Sequence, residues 1–477
     1  MKSPLPIKDE VHLAFDTFKD RTRSLMAPTL KLGVTGLARA GKTVFITALL
    51  HQLIQSNRMP LFEVVREGRL INITLDQQPN DQLARFEYEK HLHALIEERI
   101  WPQSTRSLSQ IRLQISFAPP LRRFNLLRPQ QLYIDLIDYP GEWLLDLPLL
   151  SKGFRAFSEQ ALTRAGNHLY AHHAKDWLAV LQKVNVLEPA DEPQIEALSN
   201  AFKAYLISIK KDNRSLTILP PGRFLMPGEL EGAPVLTFCP LANLPESTFP
   251  PHSLAAIMER RYEAYKKHVV RPFFRDHIAR LDRQIVLIDL LQTLNMGRDS
   301  LNALAESLGE ILSCFRTGKN WWLTHLWQRK ITRVLVAATK SDHLHHTDHK
   351  ILEQMTQTLV GNALARAGAQ GAKVDTLALA SVRATREGLA KVNKTELPVI
   401  IGTPIAGEII DGQSFDGETE TAIFPGDLPE NLEQALKRGD DTHLRFIGFR
   451  PPHTKKNDSL PHIRLDRALE FLFGDYT

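Results

Sequence analysis

Residues 31–50, KLGVTGLARAGKTVFITALL, restrict what this chain can fold into more than any other stretch. An apolar run ends at Gly36. Gly36, Gly41, Lys42 and Thr43 then fill the spacing G-x-x-x-x-G-K-[ST] before an apolar helix that opens with Val44. Two glycines at that spacing let successive backbone N–H groups curl inward around an anion, and the helix that follows adds its positive end. In such a loop Lys42 reaches the β- and γ-phosphates of a nucleoside triphosphate, and Thr43 offers its hydroxyl to Mg²⁺. Ala40 in the loop and Val44 just after it are expected to line the nucleotide with these residues. Arg39, inside the loop, either neutralises charge in cis or faces solvent. A strand, this loop and a helix in that order predict an α/β sheet that binds a nucleotide.

The chain has 477 residues, enough for two or three domains, and its apolar (43%) and charged (24%) fractions are those of a globular protein. The net charge of +5 permits an acidic partner or surface without requiring one. Cys239 and Cys314 lie far apart and lack metal-ligand spacing, so no disulfide framework or zinc site is indicated. No apolar run approaches the roughly 18 residues of a spanning helix, and the start lacks a signal-peptide core. A cytoplasmic location follows as the expectation, with any attachment at the inner membrane peripheral or borrowed from a partner.

The pattern along the chain divides it into five segments. Residues 1–27 read as an amphipathic helix, through Val11, Phe15, Phe18, Leu25 and Met26, that packs on the next domain or lies on a membrane surface. Residues 28–143 form the first part of the nucleotide-binding core. There Ile111, Leu113, Ile115 and Phe117 alternate with polar residues as in a half-buried strand, and QLYIDLID forms its antiparallel neighbour. Residues 144–277 carry helical periodicity and no chemistry, which suggests a helical insertion with a partner-binding or regulatory role. In 278–391 the unbroken apolar runs QIVLID, RVLVAA and DTLALA alternate with helices and predict a doubly wound, mostly parallel sheet. Residues 392–477 read as a β-rich extension, with LRFIGF as a strand and LDRALEFLF as a closing helix.

Three segments narrow the chemistry. Asp138 ends a strand and begins D-x-P-G, where its carboxylate can hold Mg²⁺ through water and Gly141 can bring its N–H to a γ-phosphate. Thr339, Lys340, Ser341 and Asp342 end a buried strand in the form [NT]-K-x-D. An Asp carboxylate there accepts from N1–H and the amino group of guanine, a donor pair adenine does not present, while the lysine stem covers the purine. Ser381 and Val382, followed by Arg383, end the next strand, where backbone N–H groups can meet guanine O6. Together these move the expected ligand from ATP to GTP or GDP with Mg²⁺.

In GLARAGKTVF, IDYPGEW, IVLIDLLQTLN and ATKSD the sequence resembles the Ras-like GTPases of the P-loop class, and more closely the bacterial YcjX-like stress-protein family. The resemblance spans most of the chain and implies a Ras-like core that hydrolyses GTP as a conformational switch. It also implies a role in envelope stress and a membrane-protein or effector partner at the insertion. Thr105 matches the first-switch threonine that closes on Mg²⁺, with Ser104 and Ser107 as rivals. After D-x-P-G stands Glu142, where that class carries a water-positioning glutamine. A carboxylate can orient water but repels the γ-phosphate, so slow turnover is expected. A nucleotide-gated scaffold with negligible hydrolysis, or an ATPase, are the alternatives.

Other clusters have plainer readings. His345 and His349 share the spacing of metal ligands on a helix, but no zincin glutamate stands between them, and a solvated helix start suffices. The basic stretch Arg260, Arg261, Lys266 and Lys267 reads as a solvated face, so no nucleic-acid partner is expected. Trp321, Trp322 and Trp327 read as packing residues or an interface anchor, and Asp135 and Asp289 lack the glycine that would mark a switch.

Overall fold

The computed structural model describes residues 28–477 except 37–39, 56–58, 104–106, 120–129, 213–218, 315–330, 369–371, 393–394, 438–443 and 456. The expected N-terminal helix, Arg39, Ser104, Thr105 and the three tryptophans of 321–327 lie outside these residues.

The apolar run before the phosphate loop forms β1 (Thr29–Gly36), and α1 (Lys42–Gln55) starts directly after Gly41. Around β1 the chain builds one sheet from β2 (Leu70–Leu75), β3 (Ala84–Arg85), β4 (Ser109–Phe117), β5 (Gln130–Asp138), β6 (Arg283–Ile288), β7 (Arg333–Ala338) and β8 (Lys373–Ala378). The order is β2-β4-β5-β1-β6-β7-β8, with β3 beside β4. From β5 to β8 all pairings are parallel; β4 runs antiparallel to β5, and β2 antiparallel to β4. The unalternated runs become inner strands: all six residues of β6 are buried, which is what covering both faces with helices requires. β4 alternates as its sequence does, and Arg112 faces Asp135 across the β4–β5 pair.

Chain segments cover both faces. α1 packs on one face with the helix that closes the chain, whose Leu465, Leu469 and Leu472 are fully buried in the same cluster. The other face carries the helices Arg298–Cys314 and His349–Gly368, through Leu308, Leu352 and Met355.

Between β5 and β6 the chain is helical. A 3₁₀ stretch, Gly141–Ser151, leads into α2 (Phe154–Ala165), α3 (Ala171–Leu181), α4 (Glu192–Lys211) and α5 (Leu254–Tyr265). Each long helix starts where its sequence permits: Asp191 accepts the Gln194 N–H to cap α4, and Ser253 caps α5 in the same way. These helices bury their own aromatic core, in which the Phe157 and Tyr262 rings stack at 4.8 Å and Trp177 is fully enclosed by Phe202 and Tyr205.

After β8 come an antiparallel three-stranded sheet of β9 (Arg386–Val392), β10 (Thr395–Gly402) and the short strand Thr421–Ile423, and a small hairpin at 409–414. LRFIGF is not a regular strand. Only Phe449 forms an isolated bridge, to Pro404, because the segment turns inward to bury Phe446 and Phe449 instead of pairing along its length. Among the described residues, no helix is long and apolar enough to cross a membrane.

Candidate functional site

The parallel strands end at one edge of the sheet, and the motif residues stand at those ends: Gly36 closing β1, Asp138 closing β5, Asp289 after β6, Thr339 to Asp342 after β7, and Ser381 after β8. In an open α/β sheet this edge, at the carboxyl ends of the strands, is where ligands bind.

Gly41 holds φ +75°, a left-handed conformation that a side chain adopts at a cost of about 1–2 kcal/mol, and its carbonyl accepts the Phe45 N–H to begin α1. Ala40 is buried beneath the turn, and Val44 packs on the core. The Lys42 ammonium lies 2.7 Å from Asp138 Oδ1 and donates to the Tyr139 carbonyl at 2.6 Å. The lysine and aspartate of two separate motifs therefore meet. Thr43 Oγ1 donates to the Gln103 carbonyl at 3.3 Å, just ahead of residues 104–106. A buried carboxylate and a hydroxyl make an all-oxygen donor set suited to Mg²⁺. Of the rivals to Thr105, Ser107 is exposed in a bend.

Beneath the loop lies a buried network that no motif marks: Tyr139 OH donates to Gln284 Oε1, and Gln284 Nε2 donates to Thr35 Oγ1 at 3.0 Å. Burial holds the Tyr139 hydroxyl well above its ordinary pKa, so it acts as a fixed donor.

At the second motif, Lys340 adopts φ +60° and its ammonium pairs with Asp289, whose carboxylate also caps the short helix Leu290–Asn295. Asp289 thus orients the [NT]-K-x-D loop, a role invisible without the β6–β7 pairing. Asp342 is 4% exposed; its Oδ2 accepts the Ala384 N–H at 2.8 Å, and its carbonyl accepts from Thr385 Oγ1. The 380–383 loop is braced from behind, since Ala380 and Ile463 exchange backbone bonds and Arg383 N–H donates to the Pro461 carbonyl at 2.6 Å. Ser381 and Val382 are nearly buried there. His343, next to Asp342, is enclosed against Phe449, and burial pushes its imidazole below the ordinary pKa.

Gly141 opens the 3₁₀ stretch, and Glu142 faces the insertion: Lys210, at the end of α4, reaches its Oε1 at 2.9 Å. Nearby Asp146 accepts the Gly222 and Arg223 N–H groups at 2.7 and 3.2 Å and the Tyr265 hydroxyl at 2.6 Å. Burial raises its carboxyl from 3.8 to about 6. The Arg223 guanidinium lies over the Trp143 ring. None of Lys210, Asp146 or Arg223 stands in a recognisable motif.

The remaining clusters resolve into packing. His349 bonds the Ser341 carbonyl and turns away from His345, which instead neighbours His346 and Glu387. Arg261 and Lys266 are buried, bonded to Glu192 and the Lys152 carbonyl, and Tyr262 and Tyr265 belong to the aromatic core, so only Arg260 and Lys267 of that basic stretch face solvent. Asp135 takes a bidentate ion pair from Arg112 at 2.6 and 2.8 Å.

A family model described as the YcjX-like family matches residues 30–477. The chain is 36% identical over 460 residues to a protein of Escherichia coli (strain K12) named Ras-like GTPase YcjX, covering 94% of this chain and 95% of that one. It is 33% identical over 478 residues to a protein of the same name from Shewanella oneidensis, covering 94% of each. With a family model spanning nearly all of its described length and relatives matched over 94% of it, the chain belongs to the YcjX-like family.

Proposed function

We propose that this protein binds GTP with Mg²⁺, hydrolyses it slowly to GDP and phosphate, and uses the difference between the two states to move its helical insertion. The observation that carries this reading is the meeting of Lys42 with Asp138 at the same sheet edge that carries Asp342. The names of the two relatives support it. The ammonium of Lys42 exchanges Asp138 for the β- and γ-phosphates when nucleotide enters, and the N–H groups of the loop share the phosphate charge as it develops. Thr43, Thr105 and, through water, Asp138 would hold Mg²⁺, which would supply neutralisation of phosphate charge. Asp342 accepts from the guanine edge, the Lys340 stem covers the base, and the Ser381–Val382 backbone meets O6. Gly141 N–H senses the γ-phosphate, and Glu142 orients water.

The experiment is displacement of a fluorescent GDP by unlabelled GDP and ADP, with GTP turnover measured in Mg²⁺ and in a chelator. Displacement by GDP alone and Mg²⁺-dependent turnover that Lys42→Ala abolishes are expected. Equal displacement by ADP would remove the guanine assignment. The grip of Lys210 on Glu142 favours a second reading, a nucleotide-gated scaffold; GDP binding with turnover no faster than in Lys42→Ala selects it. A role in envelope stress, with a membrane-protein or effector partner at the insertion, completes the proposal on family resemblance.

A further inference from the structure

The helical insertion holds a cluster of nitrogen and oxygen donors that the nucleotide reading does not use. His172 and His173 lie in the first turn of α3, and Asp212 is the residue on which α4 ends. His173 Nε2 lies 2.9 Å from Asp212 Oδ2, and His172 Nε2 lies 3.7 Å from the same oxygen. One ligand-capable atom from each of the three residues falls within 4.8 Å of the others. The other ring nitrogen of His173, Nδ1, is paired with the Ser208 hydroxyl at 2.7 Å, which turns Nε2 toward the carboxylate.

We propose that His172, His173 and Asp212 bind a divalent transition-metal cation, with Zn²⁺ as the best match and water completing the coordination. A tetrahedral Zn²⁺ with ligand bonds of about 2.1 Å needs its ligand atoms roughly 3.4 Å apart. The two separations to Asp212 bracket that value, so small rotations of the rings suffice. Two imidazoles and one carboxylate select Zn²⁺ or its neighbours over Mg²⁺ and Ca²⁺, which take oxygen donors. The Ser208 hydroxyl supplies the outer-shell contact that fixes the tautomer and plane of a ligating imidazole. A second His–His–carboxylate group, His345, His346 and Glu387, lies outside the insertion. There the Arg383 guanidinium stands 3.3 Å from Glu387 Oε1 and already places a cation on the carboxylate. A cation on the insertion ties the start of α3 to the end of α4, two residues beyond Lys210, and so fixes the helix end whose ammonium holds Glu142.

The test is calorimetric titration of the full-length, tag-free, chelator-treated protein with Zn²⁺ in excess Mg²⁺, with Co²⁺ absorption as the coordination readout. The wild type is expected to take up one tight equivalent and to show the visible bands of tetrahedral Co²⁺. His172→Ala and Asp212→Asn should lose both, and Ser208→Ala should bind about 10-fold more weakly. His345→Ala/His346→Ala should bind as the wild type does. His172 is largely exposed (60%), so its replacement leaves the fold intact. Unchanged Zn²⁺ affinity in His172→Ala, or no tight equivalent in the wild type, overturns the proposal.

Discussion

In the proposed site Asp342 is the residue that reads the base, so its replacement by asparagine tests that specificity most directly. The side chain is 4% exposed, and its Oδ2 accepts the Ala384 N–H at 2.8 Å. Asparagine has the same shape, and its amide oxygen can keep that bond, so the 380–385 loop stays joined to the end of β7. What changes is the face turned to the base, where an NH₂ group replaces a charged acceptor. Guanine presents two donors to it, and a hydrogen bond to a charged group contributes about 1.5–3 kcal/mol. Losing the pair should weaken GDP binding by about 3–4 kcal/mol, or roughly 10²- to 10³-fold. The new NH₂ can instead donate to a carbonyl at the purine 2-position, so xanthosine diphosphate should gain where GDP loses. The assay is displacement of a fluorescent nucleotide by each diphosphate, with the melting temperature as the control for folding. A folded Asp342→Asn protein that binds GDP like the wild type, or that gains nothing for xanthosine diphosphate, refutes the reasoning.

Four further outcomes follow from particular contacts. Gly41→Ala meets nothing within 4 Å among the described residues, so its penalty is conformational, about 1–2 kcal/mol from φ +75°; it should lower the melting temperature modestly and GDP affinity strongly. Arg112→Ala strands Asp135, which is 1% exposed, without its bidentate partner; urea unfolding should show a loss of about 3–5 kcal/mol, and a loss below about 1 kcal/mol contradicts the buried-pair account. The Asp146 carboxyl is raised from 3.8 to about 6, so the folded state keeps a proton that the unfolded chain sheds between those values. Its contribution is complete below pH 3.8 and lost as pH rises through 6, up to about 3 kcal/mol in all, so the difference in urea stability between wild type and Asp146→Ala should shift in that direction and over that interval. Gly222→Ala drives a Cβ into the Glu142 carbonyl, a contact only backbone movement can relieve; hydrogen exchange at 141–151 should quicken while that of β6 and β7 stays unchanged.

The sheet was legible in the sequence because its signal is local. RVLVAA and QIVLI are apolar without alternation and therefore buried on both faces, while β4 alternates and therefore sits antiparallel nearer the edge. The phosphate loop and Thr339–Asp342 were legible because fixed spacing carries their chemistry. LRFIGF misled because two phenylalanines in an apolar run look alike in a strand and in a segment that turns inward. Asp289, Lys210 and Asp146 could not have been found this way. Each acts through a partner 51, 68 or 76 positions away, and nothing local distinguishes it from a surface charge. The brace of 380–383 by residues 461–463 has the same origin, since backbone bonds leave no trace in side-chain pattern.

Those long-range contacts bear on the departure at Glu142. A carboxylate near a triphosphate is repelled by about 3 kcal/mol per unit charge at ~5 Å and an effective dielectric of ~20. An unpaired Glu142 would therefore oppose the nucleotide it follows in sequence. Here the carboxylate is handed to Lys210, and two of the four residues after it are held by contacts from the insertion: Trp143 under Arg223, and Asp146 on the Gly222 and Arg223 N–H groups. The segment that the proposed reaction needs to move is thus also the segment through which the insertion is attached to the core. Whatever draws Glu142 toward a γ-phosphate must loosen Lys210, and whatever a partner does to α4 must alter where Glu142 points. Coupling of this kind is reciprocal in its binding free energies. A partner that binds the insertion with Lys210 displaced should therefore raise affinity for GTP over GDP by the same factor by which GTP favours that partner.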